Sequence, residues 1–457
     1  MNPVRHVLRL LKDPFALSWR RHARIRALAT QPAVDPLHPI FDAAFYLRQL
    51  RSARPADHGS ARTNPLAHYL ATGWREGLSP HPFFDIRWYL ADNPDVARAD
   101  IEPLGHYLAH GWKEDRRPHP AFDGSRYLAH HPALLLSATC PLIAFARAPH
   151  ALPPVDERPS PAATWSSHYP HSRPYPYLEP QVMADRAAAY RAARRTGNSI
   201  ALCTCITGGY DTLRMPEHLS PDVDYFLFTD RPETDGYGVF QVLPLQIQME
   251  DRARASRHVK LQPHHCLARY DIIVWCDANV IVRGDLSDRL RLFRESDLPL
   301  AFVPHPLRRC LYHEAVICAL SGKDRTEIIV AQMLAHQREG YPFDHGLIEA
   351  NFFACRPQRP EARAFFDGWW AQFTQGSRRD QLGANYVLWK QGLAWFPLLG
   401  EGHNTRTHPA TALLDHGTHD SDRYAGLASR HRPRRNIESS SKSAEDLSNS
   451  PVVRQPS

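Results

Sequence analysis

Between residues 199 and 391, short apolar runs alternate with longer amphipathic stretches, and this alternation restricts the possible folds more than any other feature of the chain. The runs are 199–206 (SIALCTCI), 224–229 (DYFLFT), 271–276 (DIIVWC), 300–304 (LAFVP) and 350–355 (ANFFAC). Helical patterns fill 284–295, 310–320, 323–339, 360–375 and 380–391. Runs rich in β-branched and aromatic residues, spaced by helices, predict an α/β fold: a largely parallel, twisted sheet covered by helices. Ligands of such sheets bind outside the carboxyl ends of the strands, so the residues that follow each run are the ones to inspect.

A different pattern occupies 38–147, where the sequence repeats. HP-x-FD followed by YL occurs at His38 to Leu47, His81 to Leu90 and His119 to Leu128. PL-x-HYL-x-x-GW-x-E occurs at Pro65 to Glu76 and Pro103 to Glu114, and a degenerate copy begins at Pro141-Leu142. Each unit reads as two short helices. Asp42, Asp85 and Asp123 cap the first, and Gly73 and Gly111 sit at the usual C-terminal position of the second. One unit cannot cover its own apolar face, so the units stack into a small α-helical repeat domain. This block resembles the short repeats found beside glycosyltransferase domains in bacterial cell-surface polysaccharide proteins.

The expected organisation is a basic segment at 1–37, the repeats at 38–147, a proline-rich linker at 148–180, the α/β domain at 181–420 and a polar, disordered tail at 421–457. The α/β domain opens with an alanine-rich helix at 181–196, closed by Gly197. In the first segment Val4, Leu8 and Leu11 share one face, with arginines opposite. That suits an anionic membrane surface, and it suits an ordinary solvated helix equally. The formal net charge of +7 favours phosphate-bearing partners, while the lack of a basic stripe interleaved with aromatics speaks against nucleic acid. The eight cysteines form no C-x-x-C pair, which fits a reducing compartment. No run approaches the length of a spanning helix. The expected location is cytoplasmic, with peripheral contact at the inner face of the membrane as a further option.

Seven segments carry candidate chemistry. In DIIVWCDANVIV a buried strand ends in Asp277-Ala278-Asn279, a place that suits a carboxylate facing a divalent ion; a strand-end Asp capping the next turn is the equal alternative. ITGGYD at 206–211 places Thr207 and Tyr210 after the first strand, and Asp230 ends the second, where it can accept from a base N–H. In ASRHVKLQPHH, Arg257 and Lys260 share a helix face and can hold a diphosphate, or form a solvated basic face. HPLRRCLYHEA offers His305, Arg308 and Glu314. HGLIEANFFACR places Glu349 and Asn351 on one face of a strand, as pocket residues or as a satisfied pair. SRRDQLGANYVLWKQ puts Arg379, Asp380 and Gln381 at a helix amino end, which favours anionic groups; plain capping is the alternative. GHNTRTHP follows the last apolar run with His403, Arg406 and His408.

Taken in chain order, ITGGYD, YFLFTD, the Arg257–Lys260 helix, WCDAN, HPLRRCLYHEA, the GLIEANFF strand and RRDQ resemble one family across roughly residues 200–410: the glycosyltransferase-like domain family typified by plant pollen-tube and seed-mucilage proteins, also found in bacteria. The resemblance implies a GT-A-like fold, a nucleotide-sugar donor (UDP- or GDP-linked) and a divalent cation, Mn²⁺ or Mg²⁺. It implies that Asp277 binds metal and ribose, with Asn279 as its companion and His408 as a third ligand. Thr207, Tyr210, Asp230, Arg257, Lys260 and Arg379 would hold the donor. Asp380, Gln381 and Glu349 would line the reaction centre, and His305, Arg308, Glu314 and Asn351 the acceptor pocket. The family tends to have Asp-Gly-Asn where this chain has Asp-Ala-Asn. The activity implied is transfer of a sugar to a cell-surface glycan or its lipid-linked precursor, with residues 1–147 docking the enzyme to membrane or polysaccharide-assembly partners. Gln381, together with the lack of an obvious second carboxylate base, leans towards retention. The rival readings are a catalytically silent protein that binds nucleotide sugar or glycan, and a scaffold that acts through its repeats.

Overall fold

The computed structural model describes residues 38–53, 62–148, 180–208, 211, 213–231, 238–245 and 252–414. The basic segment, most of the proline-rich linker, Tyr210 and the tail lie outside the described residues.

The repeats begin with α1 (Ala43–Ala53), α2 (Ile86–Asp92) and α3 (Gly124–His130). Each is capped by the expected aspartate. Asp42, Asp85 and Asp123 accept from the N–H groups of Phe45, Trp88 and Arg126 at 2.8, 3.0 and 3.0 Å. Adjacent units are stitched by main chain, since Asp42 N–H donates to Pro80 O and Asp85 N–H to Pro118 O, both at 2.9 Å. Tyr46, Tyr69, Tyr89, Tyr107 and Tyr127 are fully buried, so the repeated aromatics form the core of the block.

Gly73 and Gly111 end their helices for a reason other than the one expected. The left-handed turn falls four residues later, at Gly77 (φ 77°) and Asp115 (φ 58°). The glycines admit a tyrosine from the first helix of their own unit. A Cβ on Gly73 would stand 1.9 Å from the Tyr46 hydroxyl, and one on Gly111 would stand 2.5 Å from that of Tyr89. Each hydroxyl is fixed by a histidine Nδ1, His68 at 2.7 Å and His106 at 2.9 Å. Gly73→Ala should therefore cost about 1–3 kcal/mol through overpacking. Tyr46→Phe in the same chain should recover part of that loss, as read from urea midpoints.

The α/β part opens with α4 (Pro180–Ala193), whose Met183, Ala187 and Tyr190 are buried against the sheet. The strands are β1 (Ile200–Ile206), β2 (Val223–Thr229), β3 (Phe240–Pro244), β4 (Ile272–Cys276), β5 (Val280–Val282), β6 (Leu300–Pro304), β7 (Ile348–Cys355), β8 (Phe396–Pro397) and β9 (Thr411–Leu413). Seven of them form one sheet in the order β3-β2-β1-β4-β7-β6-β8, and β5 pairs with β9 apart from it. The sheet is mostly parallel, as expected; β7 is the exception and runs antiparallel to both β4 and β6. This reversal brings the start of β7, rather than its end, to the edge where β1, β2, β4 and β6 finish.

The helices are α5 (Arg252–Leu261), α6 (Pro263–Cys266), α7 (Ser287–Glu295), α8 (Leu311–Leu320), α9 (Thr326–Arg338), α10 (Pro360–Gln375) and α11 (Gln381–Lys390). Strand alternation divides them between two layers. Ile273 and Trp275 of β4 pack with residues of α5, α8, α10 and α11, while Ile272, Val274 and Cys276 pack with α4 and α7.

The repeats are not a detached module. One hydrophobic cluster runs from Tyr46 and Phe145 to Tyr312, Met333 and Trp369. At the joint, Ser125 Oγ meets His313 Nε2 at 2.7 Å, and Arg126 forks onto Asp344 at 3.1 and 2.8 Å. His130 stacks on Phe343 with ring centroids 3.9 Å apart. All eight cysteines are free thiols. Among the described residues no helix is long and apolar enough to cross a membrane.

Candidate functional site

β1, β2, β4 and β6 end at a common edge, and each is followed there by a polar residue: Thr207, Asp230, Asp277 and His305. Asp277 follows β4, the strand between β1 and β7. Its N–H donates to Asn351 O at 2.9 Å, which extends the β4–β7 pairing by one residue. Its Oδ1 accepts from Trp275 Nε1 at 2.6 Å and from Lys260 Nζ at 3.2 Å. Lys260, only 1 % exposed, also reaches Asp380 Oδ2 at 2.8 Å. The lysine therefore joins the carboxylate at the end of the central strand to the carboxylate at the amino end of α11. Arg257, one turn earlier on α5, places Nε 3.5 Å from the same Asp380 oxygen.

Burial by itself would raise the Asp380 carboxyl. Lys260, Arg257 and Arg379 outweigh it and hold this group well below the usual carboxylate range. The surrounding cations thus favour the anionic form of Asp380. Arg379 also feels Glu314, which links a second cluster to the first. Glu314 on α8 is bonded by Arg308 Nε at 2.6 Å and faced by His305 Nε2 at 3.7 Å. Arg308 and His305 keep Glu314 ionised against full burial.

The structure thus brings Asp277, Lys260, Arg257, Asp380, Arg379, Glu314, Arg308 and His305 into one connected network, in which four cations face three carboxylates. The Nε atoms of Arg257 and Arg379 are buried without a hydrogen-bond partner. Arg257 donates from Nη1 to Ser256 Oγ at 3.3 Å and Arg379 bonds Cys318, while the two Nε–H groups stay available to an anion.

Other expected residues have other partners. Gln381 gives both ends of its amide to β7: Oε1 accepts from Ala350 N–H at 3.0 Å, and Nε2 donates to Ile348 O. Gln381 therefore secures the reversed strand, and its amide does not face the reaction centre in this state. Glu349 and Asn351 share a strand face, as the alternation implies, and both meet the loop after β8. Arg406 binds Glu349 at 2.7 Å, and Asn351 Nδ2 donates to Thr405 Oγ1 at 3.3 Å. Asp230 accepts the Gly208 N–H at 3.1 and 3.0 Å and so holds the loop that contains Thr207. Asn279 is buried and donates to Leu414 O at 3.0 Å, which ties β5 to β9. His408 Nδ1 accepts from Ala410 N–H at 3.2 Å, and its ring meets that of His403.

These residues fit a divalent cation poorly. Among the described residues, the groups of three His, Cys, Asp or Glu whose ligand atoms converge are His264–His265–Asp367 and Asp115–Asp123–His313, and neither includes Asp277 or His408. Oδ1 of Asp277 is already taken by an ammonium and an indole N–H, and the Asn279 amide is turned to a main-chain carbonyl. Lys260 supplies the positive charge beside Asp277 Oδ1.

One feature of the site has no counterpart in the sequence reasoning. A narrow recess, with room for about one water molecule, opens beside Asp277 and Ala278, walled by Leu202, Thr204, Arg214 and Phe240 among others. Thr204 Oγ1 is buried there without a hydrogen-bond partner. The available signal was a polar residue inside the first apolar run, on the face it shares with Leu202. Cys205 of the same strand is no nucleophile at neutral pH, because burial pushes its thiol up to about 12.

No protein-family model matches the chain, and a search of curated proteins returns no match.

Proposed function

We propose that the protein is a glycosyltransferase of GT-A-like fold that takes its sugar from a nucleoside diphosphate donor, UDP- or GDP-linked, and passes it to a cell-surface glycan or a lipid-linked precursor. The observation that carries this reading is the set of Lys260, Arg257 and Arg379 converging at the carboxyl edge of the sheet, with two guanidinium Nε atoms buried and unpartnered. Cations in excess of their carboxylates, with Lys260 buried and Arg257 and Arg379 half-buried, are costly unless an anion completes them. A diphosphate supplies that anion and becomes more negative as it leaves, so the same cations stabilise departure more than binding. The nucleoside would lie along the strand end beside Asp277, where Arg214 and Phe240 border a narrow recess. The Glu349–Arg406 pair and Asn351 border the same edge as acceptor contacts.

In this mechanism Lys260 does the work that the family resemblance gives to Mn²⁺ or Mg²⁺. Calorimetric titration of the full chain with UDP and GDP, each with and without Mn²⁺, tests both points. One nucleotide should bind without added metal, and Arg257→Ala should weaken it by at least about tenfold, a loss of some 1.4 kcal/mol. Failure of the folded protein to bind either nucleotide under any condition would overturn the proposal. A silent binding protein is the second reading, favoured by the full pairing of Asp380 and Glu349. Release of free sugar from the bound donor would exclude it.

A further inference from the structure

Beyond the sheet edge, a second cluster has the chemistry of a metal site. α6 carries His264 and His265 in succession, and α10 passes beside it with Asp367. One ligand atom from each lies within 4.8 Å of the other two. His264 Nε2 and Asp367 Oδ1 are 3.5 Å apart. Zinc–nitrogen and zinc–oxygen bonds of about 2.0–2.1 Å at tetrahedral angles put neighbouring ligand atoms about 3.3 Å apart. That pair is thus already close to a coordination edge, and His265 and Asp367 are exposed and free to close the remaining gap by rotation.

His264 is 7 % exposed, and its Nδ1 has no hydrogen-bond partner. Arg363, one turn before Asp367, donates from Nε to Pro357 O at 2.8 Å. His258, on the last turn of α5, has its ring 6.5 Å from that of His265 and its edge against Trp370. Two imidazoles and one carboxylate suit a borderline dication such as Zn²⁺. The other convergent group, Asp115–Asp123–His313, is different: Arg117 stands 3.0 Å from Asp123 and Ser125 bridges Asp123 to His313, so a guanidinium already supplies its positive charge.

We infer that His264, His265 and Asp367 bind a zinc-class divalent cation that clamps α6 to α10. The clamp stands where Gln262 Nε2 already donates to Phe366 O at 3.1 Å. α5 leads directly into α6, and Trp369 of α10 donates its indole N–H to Asp380 O at 2.7 Å. The bound ion would therefore fix the two helices that hold Lys260 and Asp380 in register. This inference rests on the fold and is independent of the glycosyl-transfer reading.

The test is titration of the chelator-treated full chain with Co²⁺, read by the visible absorption of tetrahedral cobalt, followed by displacement with Zn²⁺. Because His264 is buried, the variants are His265→Ala and Asp367→Asn, with Asp288→Asn, an exposed carboxylate on α7, as the control. One equivalent should bind, each of the first two variants should weaken it by at least about tenfold, and Asp288→Asn should leave it unchanged. Absence of a tetrahedral cobalt spectrum overturns the inference, as does binding that neither His265→Ala nor Asp367→Asn weakens.

Discussion

Lys260→Met is expected to destabilise the protein by about 3–5 kcal/mol, the usual cost of removing one partner from a buried ion pair. Lys260 is 1 % exposed and Asp380 5 %, so solvent does little to soften the loss. Asp380 would keep Arg257 at 3.5 Å, a contact without hydrogen-bond alignment, and Asp277 would lose its ammonium. Urea unfolding of both proteins at neutral pH measures the difference, and a change under 1 kcal/mol would mean that Arg257 and Arg379 suffice. Lys260→Met/Asp380→Leu should recover part of the loss, because two apolar groups leave fewer unpaired charges than one deletion does.

The same pair sets an acid limb. The folded-state carboxyl of Asp380 is depressed below its unfolded value of about 3.9. Its contribution is therefore fully present above that value and is lost as pH falls through the depressed folded one. Glu314, depressed in the same direction, adds to this limb. Asp380→Asn should make stability less steep below about pH 4, while leaving its pH dependence near neutrality unchanged.

The second large effect concerns the repeats. A fragment spanning 180–414 should fail to unfold cooperatively, although it contains the whole sheet. Deleting 38–148 removes α3, which is buried from Gly124 to Ala129, and uncovers Leu311, Tyr312 and Ala315 of α8. Each large apolar side chain returned to water costs about 1.5–3 kcal/mol, against a total stability of about 5–15 kcal/mol for a typical domain. The deletion also strips Ser125 from His313 and Arg126 from Asp344. Calorimetric scanning of fragment and full chain decides the matter. An unchanged transition in the fragment would make the repeats a separable docking module, whereas loss of the transition makes them part of the fold that carries the site.

The contrast between the two halves of the chain also explains what could be foreseen. The apolar runs, the helical stretches and the repeat with its aspartate caps were legible because they depend on local periodicity and on side chains that bond three residues away. Membership of one edge was legible too, since parallel strands separated by helices finish on the same side. Gly73 and Gly111 were legible as glycines but not in their purpose, because the tyrosine each admits lies more than twenty residues earlier.

The sequence by itself determined an α/β sheet with polar residues after its strands, and a stacked repeat before it. Only the tertiary structure decided that β7 enters in reverse, that Gln381 is spent on holding it, and that Lys260 bridges Asp277 and Asp380 across 120 positions of chain. The physical reason is that periodicity reports which face of an element is buried, whereas the partner of a buried charge is fixed by packing between elements far apart in sequence. The cost of leaving such a charge unpaired then selects the arrangement in which the distant partners meet.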